Sequence, residues 1–141
     1  MHRNTVERRI MWGDLDPLGI VFYPRYYEWI DGCAHLFFES VDLSPDRMWT
    51  DRNIIFGLVE TGCRYFSPGR YHETIRIVTE IERLEKKTVT LGHRITGQAS
   101  GTLMVAAREH RICMDVSDPK NLKARAIPDD IHRIFSEAME K

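Results

Sequence analysis

The sequence predicts an α+β fold in which one long apolar helix packs against an antiparallel sheet. Two observations carry this prediction. From Pro24 to about Ser40 the apolar residues leave only a narrow polar stripe at helical spacing, which is typical of a mostly buried helix. After residue 53, segments that alternate polar and apolar residues are separated by turn signals, as in an antiparallel sheet. Strands that follow a helix favour a helix lying on one face of the sheet.

Local signals predict the elements in order. Residues 4–12 predict a first strand and residues 13–23 a turn-rich connection. Pro24 suits the first position of the long helix, because a missing N–H costs nothing there. Residues 44–52 predict a short second helix.

The second half of the chain completes a five-stranded sheet. Period-two alternation predicts strands over residues 54–66, 73–84, 88–98 and 102–116, and a C-terminal helix over 128–140. The residues expected on one face of the two middle strands are Ile75, Ile77, Thr79, Ile81, Val89, Leu91, His93 and Ile95.

Length and charge limit the class of protein. A chain of 141 residues suits a single domain over 1–141 with a real core. The net charge is −1 and no long block of one sign occurs. Because a nucleic-acid binder usually carries a basic excess, we expect no nucleic-acid partner.

The sequence also indicates a compartment. No segment approaches the roughly 18 to 20 apolar residues of a membrane span, and the N-terminal residues lack the apolar region of a signal peptide. Cys33, Cys63 and Cys113 are widely spaced, without the pattern of a disulfide framework or a zinc site. We therefore expect a cytoplasmic protein with reduced cysteines, no membrane partner and no metal.

Asp14 and Asp16 stand in the most unusual stretch, directly before an apolar run. One interpretation is turn chemistry alone, since Asp, Pro and Gly dominate turns. A calcium loop is disfavoured because apolar residues fill 20–23, where its ligands should lie. An aspartate-nucleophile phosphatase is disfavoured because residues 7–12 do not form a buried apolar strand.

A further interpretation joins these carboxylates to the helix that begins at Pro24. A helix N-terminus presents unpaired N–H groups and a partial positive charge, and it can hold a developing oxyanion. Gly19 lets a ligand approach the backbone. A carboxylate beside such a site suits hydrolysis of an activated acyl group.

The stretch Gly13 to Tyr26, G-D-x-D-P-x-G-I-V-x-Y-P-x-Y, resembles the signature of the 4-hydroxybenzoyl-CoA thioesterase family. The resemblance implies the hotdog fold, a long helix wrapped by an antiparallel sheet, and hydrolysis of an aromatic or other compact acyl-CoA. Coenzyme A is then part of the substrate, and no separate cofactor is needed. Related Tol–Pal-associated thioesterases usually have histidine where this chain has Pro24, which favours the hydroxybenzoyl branch.

The resemblance also assigns the reacting groups. It maps the family's catalytic aspartate onto Asp16 and its oxyanion donor onto the backbone N–H of Tyr23. Whether Asp16 attacks the thioester carbonyl or activates water stays open. Asp14 is then expected to brace the turn through backbone hydrogen bonds.

Residues expected in the acyl pocket come from the helix and from strand 54–66. Asp31 is either an exposed helix aspartate favoured by the dipole or a pocket residue that selects a polar ring substituent. Glu60, Thr61 and Gly62 are either a polar sheet edge or a segment that faces Asp16 through a dimer partner.

The resemblance implies that basic residues grip the coenzyme A phosphates. Its candidates are Lys86, Lys87 and Thr88, together with Lys123 or Arg125. The alternative for the first three is a solvated hairpin. Resembling proteins form homodimers that share their sites and assemble into homotetramers, so we expect the same assembly here.

Two other functions stay open on the sequence. A hotdog-fold hydratase or dehydratase would need a histidine with a carboxylate, and Pro24 removes the nearest candidate. A non-catalytic acyl-CoA-binding protein could keep the same motif as a binding site. His93, on an apolar strand face, is expected to be a structural histidine with satisfied ring nitrogens.

Overall fold

A computed structural model describes residues 1–140, with the elements in the predicted order. The strands are β1 (Asn4–Arg9), β2 (Ile54–Tyr65), β3 (Thr74–Leu84), β4 (Thr88–Gly97), β5 (Leu103–Asp115) and β6 (Lys123–Ala124). The helices are α1 (Pro24–Ser40), α2 (Pro45–Arg52) and α3 (Asp129–Glu140), and a 3-10 turn spans Trp12–Asp14. The bounds of α1 are those the sequence predicts.

The sheet is antiparallel, in the strand order β1-β3-β4-β5-β2. It has one strand more than predicted, because the two residues of β6 pair with Met114 and Asp115 of β5. The carboxylates of Asp115 and Asp118 accept backbone N–H groups two residues further on. These side-chain turns bring the chain back to pair once more.

The two ends of the sheet carry different segments. At one end, which we call the Pro24 end, β3 starts and α1 begins. There the N–H of Ile10 donates to Glu73 O at 2.8 Å and the N–H of Val21 donates to Gly69 O at 2.9 Å. At the other end, the hairpin end, residues 85–87 join β3 to β4.

The face of the sheet that α1 covers, called the inner face, holds the core. The eight residues predicted on one face of β3 and β4 are all buried. β5 buries every second residue on the same face: Val105, Ala107, Glu109, Arg111 and Cys113. Helix and sheet therefore meet through alternating positions, as the sequence pattern predicts.

The core consists of two apolar clusters with a polar layer between them. The cluster at the hairpin end includes Phe38, Phe56 and Phe135, whose ring centroids lie 5.4 to 5.7 Å apart. The cluster at the Pro24 end includes Trp29 and Ile77. The layer between them consists of the buried side chains of Thr79, His93, Glu109 and Arg111.

Within residues 1–140, none of the helices has the length and apolar character needed to cross a membrane.

Candidate active site

The segment before α1 folds into a small hairpin. The N–H of Asp16 donates to Ile20 O at 2.8 Å, and the N–H of Phe22 donates to Asp14 O at 2.8 Å. The chain thus turns back on itself, and Tyr23 follows directly on the residue that is bonded to Asp14.

Asp16 stands at the start of the turn that closes this hairpin. Its Oδ1 accepts from the N–H of Leu18 at 2.8 Å, and its carbonyl accepts from the N–H of Gly19 at 2.9 Å. No hydrogen bond to residues 1–140 engages Oδ2. Gly19 has a φ of +77°, a conformation in which a side chain would be strained. Asp16 therefore presents one free carboxylate oxygen from a fixed turn.

Tyr23 is the residue that caps the start of α1. Among the described residues its N–H has no backbone acceptor, whereas the N–H of Arg25 donates to Phe22 O at 2.9 Å. Pro24 has no N–H at all. The Tyr23 amide is thus a free donor at the positive end of a helix of 17 residues.

Asp14 has its carboxylate turned into the protein. Its Oδ2 accepts from the N–H of Met11 at 2.9 Å, and its Oδ1 lies 3.7 Å from Nη2 of Arg8. The Arg8 guanidinium in turn lies 4.6 Å from the ring centroid of Trp29. Asp14 braces the start of the hairpin, as predicted, because its side chain accepts from the Met11 N–H and lies beside Arg8 of β1.

A second Asp-Pro turn in the chain shows what is particular to Asp16. Asp118 also precedes a proline, and its Oδ1 accepts from the N–H of Lys120 at 3.0 Å. Its carbonyl accepts from the N–H of Asn121 at 2.9 Å. The two turns have the same hydrogen bonds, so turn chemistry accounts for both. What distinguishes Asp16 is its hairpin, which leads to the free amide of Tyr23.

Asp31 lies on α1 and meets a buried arginine. Its Oδ1 accepts from Nη2 of Arg111 at 2.7 Å, while half of its side chain stays exposed. Its Oδ2 lies 3.7 Å from Nδ1 of His35, beyond hydrogen-bond distance. Asp31 is therefore neither a free helix aspartate nor a fully buried one.

The buried polar layer was only partly predicted. His93 has both ring nitrogens in contact, with Thr79 Oγ1 and Glu109 Oε1, each at 2.8 Å, which confirms it as a satisfied histidine. Glu109 and Arg111 were missed. Their signal was present, since both continue the alternation of Val105 and Ala107 onto the inner face.

Glu60, Thr61 and Gly62 lie on β2, at the open edge of the sheet and after a bulge at Val59. The Thr61 hydroxyl donates to Arg108 O at 3.0 Å. Thr61 pairs with Glu109, so it lies at the level of the polar layer. Glu60 and Gly62 are exposed.

The predicted basic residues meet at the hairpin end. The N–H of Ile127 donates to Lys86 O at 2.9 Å, and the N–H of Cys113 donates to Lys87 O at 2.8 Å. Lys123 pairs with Asp115 at the same end. Within one chain they lie at the opposite end of the sheet from the Asp16 hairpin.

Thr88 ends the turn between β3 and β4. Its hydroxyl donates to Glu85 Oε1 at 3.2 Å and its carbonyl accepts from the N–H of Glu85 at 2.9 Å. The turn residues therefore have a fixed backbone.

The cysteines do not offer a nucleophile. All three are free, and Cys33 and Cys113 are buried. Burial raises the pKa of each thiol, to about 11 for Cys33, so neutral thiols predominate near pH 7. No group of three His, Cys, Asp or Glu side chains within residues 1–140 could hold a metal ion.

Comparison with known proteins identifies relatives over nearly the whole chain. The model of the thioesterase superfamily matches residues 18–103. The 4-hydroxybenzoyl-CoA thioesterase of Pseudomonas sp. strain CBS-3 is 28% identical over 137 residues, which cover 94% of this chain and 96% of that protein.

Two solved structures extend the comparison to the fold. One is a mutant 4-hydroxybenzoyl CoA thioesterase complexed with 4-hydroxybenzoyl CoA, with a TM-score of 0.88, 25% identity and coverage of 96% of this chain and 99% of that one. The other is a gentisyl-coenzyme A thioesterase, with a TM-score of 0.79, 28% identity and coverage of 94% and 99%. The predicted hotdog fold is confirmed by these neighbours.

Proposed function

This chain belongs to the thioesterase superfamily and is an acyl-CoA thioesterase, and we propose that it hydrolyses aromatic or other compact acyl-CoA esters at a site formed by Asp16 and the Tyr23 amide. One observation carries the proposal. The free N–H at the start of α1 belongs to the residue that directly follows the hairpin carrying the free Oδ2 of Asp16. An electrostatic donor and a reactive carboxylate are the two groups that acyl transfer requires.

The Tyr23 amide polarises the substrate. The thioester carbonyl oxygen accepts from this N–H, and the dipole of α1 stabilises the negative charge that grows on the oxygen as the carbon becomes tetrahedral. Because the donor is a backbone group in a fixed hairpin, it needs no reorganisation during the reaction.

Asp16 supplies the reaction's base or nucleophile. As a nucleophile, its Oδ2 forms a bond to the carbonyl carbon, the thiolate of coenzyme A leaves, and water then hydrolyses the mixed anhydride. As a base, Oδ2 takes a proton from a water molecule that attacks the carbonyl carbon, the C–S bond then breaks, and the leaving thiolate of coenzyme A takes up that proton. Both routes consume one water and release a carboxylic acid and free coenzyme A.

The acyl pocket lies along α1 and the edge strand β2. Asp31, Glu60, Thr61 and Gly62 are its proposed residues, and Gly19 is the proposed point of close approach near Asp16. Support comes from the register, in which Thr61 pairs with Glu109, whose carboxylate accepts from Arg111 at 2.8 Å. Asp31 is proposed to meet a polar substituent on the acyl ring.

The coenzyme A portion is proposed to be held by a second copy of the chain. Lys86, Lys87, Thr88 and Lys123 lie at the hairpin end, away from their own Asp16. An antiparallel two-fold pairing of two β2 edges would place the hairpin end of one copy beside the Pro24 end of the other.

The edge of β2 suits this homodimer. It has 12 residues, and it exposes Ile55, Leu58 and Val59 by 38 to 55%. A long apolar edge with unpaired backbone groups favours pairing with another strand. Assembly of two such dimers into a homotetramer, in the cytoplasm, completes the proposal.

The activity test uses a panel of aromatic and aliphatic acyl-CoAs with colorimetric detection of free thiol. We expect the wild type to release thiol fastest from aromatic or compact acyl groups. Release from none of them would refute the proposal. Enoyl-CoAs tested for added water identify a hydratase instead.

A further inference from the structure

Arg111 joins three elements of the fold beneath Asp31. Its Nη1 donates to the carbonyl of Phe56 on β2 at 3.0 Å. Its Nη2 donates to Glu109 Oε2 on β5 at 2.8 Å and to Asp31 Oδ1 on α1 at 2.7 Å. A guanidinium with acceptors on three elements has one position and one orientation.

The three charged side chains differ sharply in exposure. Arg111 has 4% of its side chain exposed and Glu109 has 2%, whereas Asp31 has 56%. Asp31 is therefore the end of the network that a ligand can reach. Because Oδ1 is used by Arg111 and Nδ1 of His35 lies 3.7 Å from Oδ2, Oδ2 is available as an acceptor.

The network is anchored on its far side. Glu109 Oε1 contacts Nε2 of His93 at 2.8 Å, and Nδ1 of His93 contacts Thr79 Oγ1 at 2.8 Å. Both carboxylate oxygens of Glu109 are thus engaged, so Glu109 cannot turn away from Arg111. These contacts form one continuous series from β3 through β4 and β5 to α1.

The position of Asp31 along α1 suits a ring substituent. It lies eight positions after Tyr23, which is about 12 Å of helical rise. That span accommodates one aromatic ring with a hydrogen bond at each end. One bond would go from the Tyr23 amide to the carbonyl oxygen, and the other from the substituent to Asp31.

We propose that Arg111, fixed by Glu109, is a positioning residue that holds Asp31 as an oriented acceptor, so that the pocket selects acyl rings bearing a hydrogen-bond donor over the same rings without one. This rests on the proposed function. A carboxylate paired with a buried arginine is an acceptor only. It accepts a hydrogen bond from a hydroxyl group on the ring, and it makes no such bond when the ring carries a hydrogen atom at that position.

A purely structural role for Arg111 predicts something different. In that case the arginine only neutralises buried Glu109, and its replacement changes stability but affects all substrates alike. Selectivity between two substrates that differ in one hydroxyl group separates the two roles.

The experiment measures kcat/KM for 4-hydroxybenzoyl-CoA and for benzoyl-CoA, and their ratio is the selectivity. We expect a wild-type ratio of about tenfold or more, which Asp31→Ala abolishes. The double variant Arg111→Gln/Glu109→Gln removes both buried charges together, so that neither is left unpaired. The selectivity of this double variant should fall to within about twofold of that of Asp31→Ala. Adding Asp31→Ala to the double variant, which makes the triple variant, should lower the selectivity no further.

The matched control is Arg108→Gln/Glu82→Gln. It makes the same substitutions in an exposed pair joined at 2.9 Å on the other face of the sheet, and it should keep the wild-type ratio. Arg111→Lys should give an intermediate ratio, because lysine lacks the planar fork.

A folded double variant with the wild-type ratio would overturn the proposal, as would a further fall in the triple variant. If the double variant does not fold, a wild-type ratio in Arg111→Lys overturns it instead. A wild type that hydrolyses both probes equally refutes the selectivity but leaves thioester hydrolysis standing. A wild type that hydrolyses no acyl-CoA of the panel refutes the proposed function itself.

Discussion

The backbone N–H of Phe22 donates to the carbonyl oxygen of Asp14 at 2.8 Å, and this bond closes the loop that contains Asp16. Asp14, two positions before the proposed reactive carboxylate, is thereby tied to the residue just before Tyr23. Since main-chain atoms make the bond, side-chain substitutions within the loop leave it in place. Substitutions of Asp16, inside the loop, should therefore report on chemistry more than on folding.

Asp16→Asn should lower kcat by about 10³-fold or more, because it removes a central reacting group. The amide oxygen of asparagine can still accept from the Leu18 N–H, so the turn should persist. Thiol release from the best substrate of the panel measures the loss. Asp118→Asn is the matched control, since it changes the second Asp-Pro turn in the same way. A folded Asp16→Asn enzyme of full rate would contradict the assignment.

Asp14→Ala should destabilise the protein by about 1–3 kcal/mol, because it leaves the Met11 N–H without its acceptor and removes the negative charge that lies 3.7 Å from the Arg8 guanidinium. Thermal denaturation should show a lower Tm than the wild type. Asp51→Ala on the exposed side of α2 serves as control and should leave the Tm nearly unchanged. An unaltered Tm for Asp14→Ala would mean that the brace contributes little.

Leu58→Lys should weaken the proposed dimer, because a lysine on an edge strand opposes pairing with another chain. For the wild type, light scattering should give the mass of two or four chains of 16.5 kDa. It should give a smaller assembly for the variant. Leu122→Lys is the control, since Leu122 and Leu58 are each 49% exposed. Equal masses for Leu58→Lys and the wild type would count against β2 as the interface.

If each site is formed by two copies of the chain, variants that are defective in different parts of the site should complement each other. Lys86→Glu/Lys87→Glu should raise KM by about tenfold with little change in kcat, because it removes charge-assisted contacts to phosphate. Thiol release at substrate concentrations well below KM measures the complementation. Co-expression with Asp16→Asn should give about a quarter of the sites the wild-type kcat/KM, since half of the dimers are mixed and each has one intact site. If both groups belong to the same copy, the mixed dimers restore none.

Cys33 should make stability sensitive to alkaline pH. Desolvation raises its pKa from 9.0 to about 11, and Glu109 adds to the effect. The thiol of the unfolded chain ionises first, so this contribution is complete below about pH 9 and is lost as the pH rises towards 11. Cys33→Val should show a smaller fall in Tm between these values. A parallel fall in both proteins would exclude Cys33 as the cause.

Much of the fold could be predicted because it depends on periodicity and local chemistry. Pro24 starts α1, and the alternation around Ile77 and Leu91 places the inner face of the sheet correctly. The strand β6 escaped prediction because two residues are too few to show a period, and because its pairing depends on side-chain turns at Asp115 and Asp118.

In the candidate site, too, local sequence could predict some features and not others. Asp14, Asp16 and Tyr23 stand close together in sequence, so local reasoning could propose different roles for the two carboxylates. The contact between Asp31 and Arg111 spans 80 positions of the chain, and no local pattern announces such a pair. Tertiary structure was needed to show that Asp31 has a buried partner.

The polar layer also divides the apolar core into two parts with different neighbours. Phe135 and the aromatic residues around it lie on one side of this layer, while Trp29 and the Asp16 hairpin lie on the other. A search for a more heat-resistant variant can therefore begin with the side chains around Phe135, which lie away from the Asp16 hairpin.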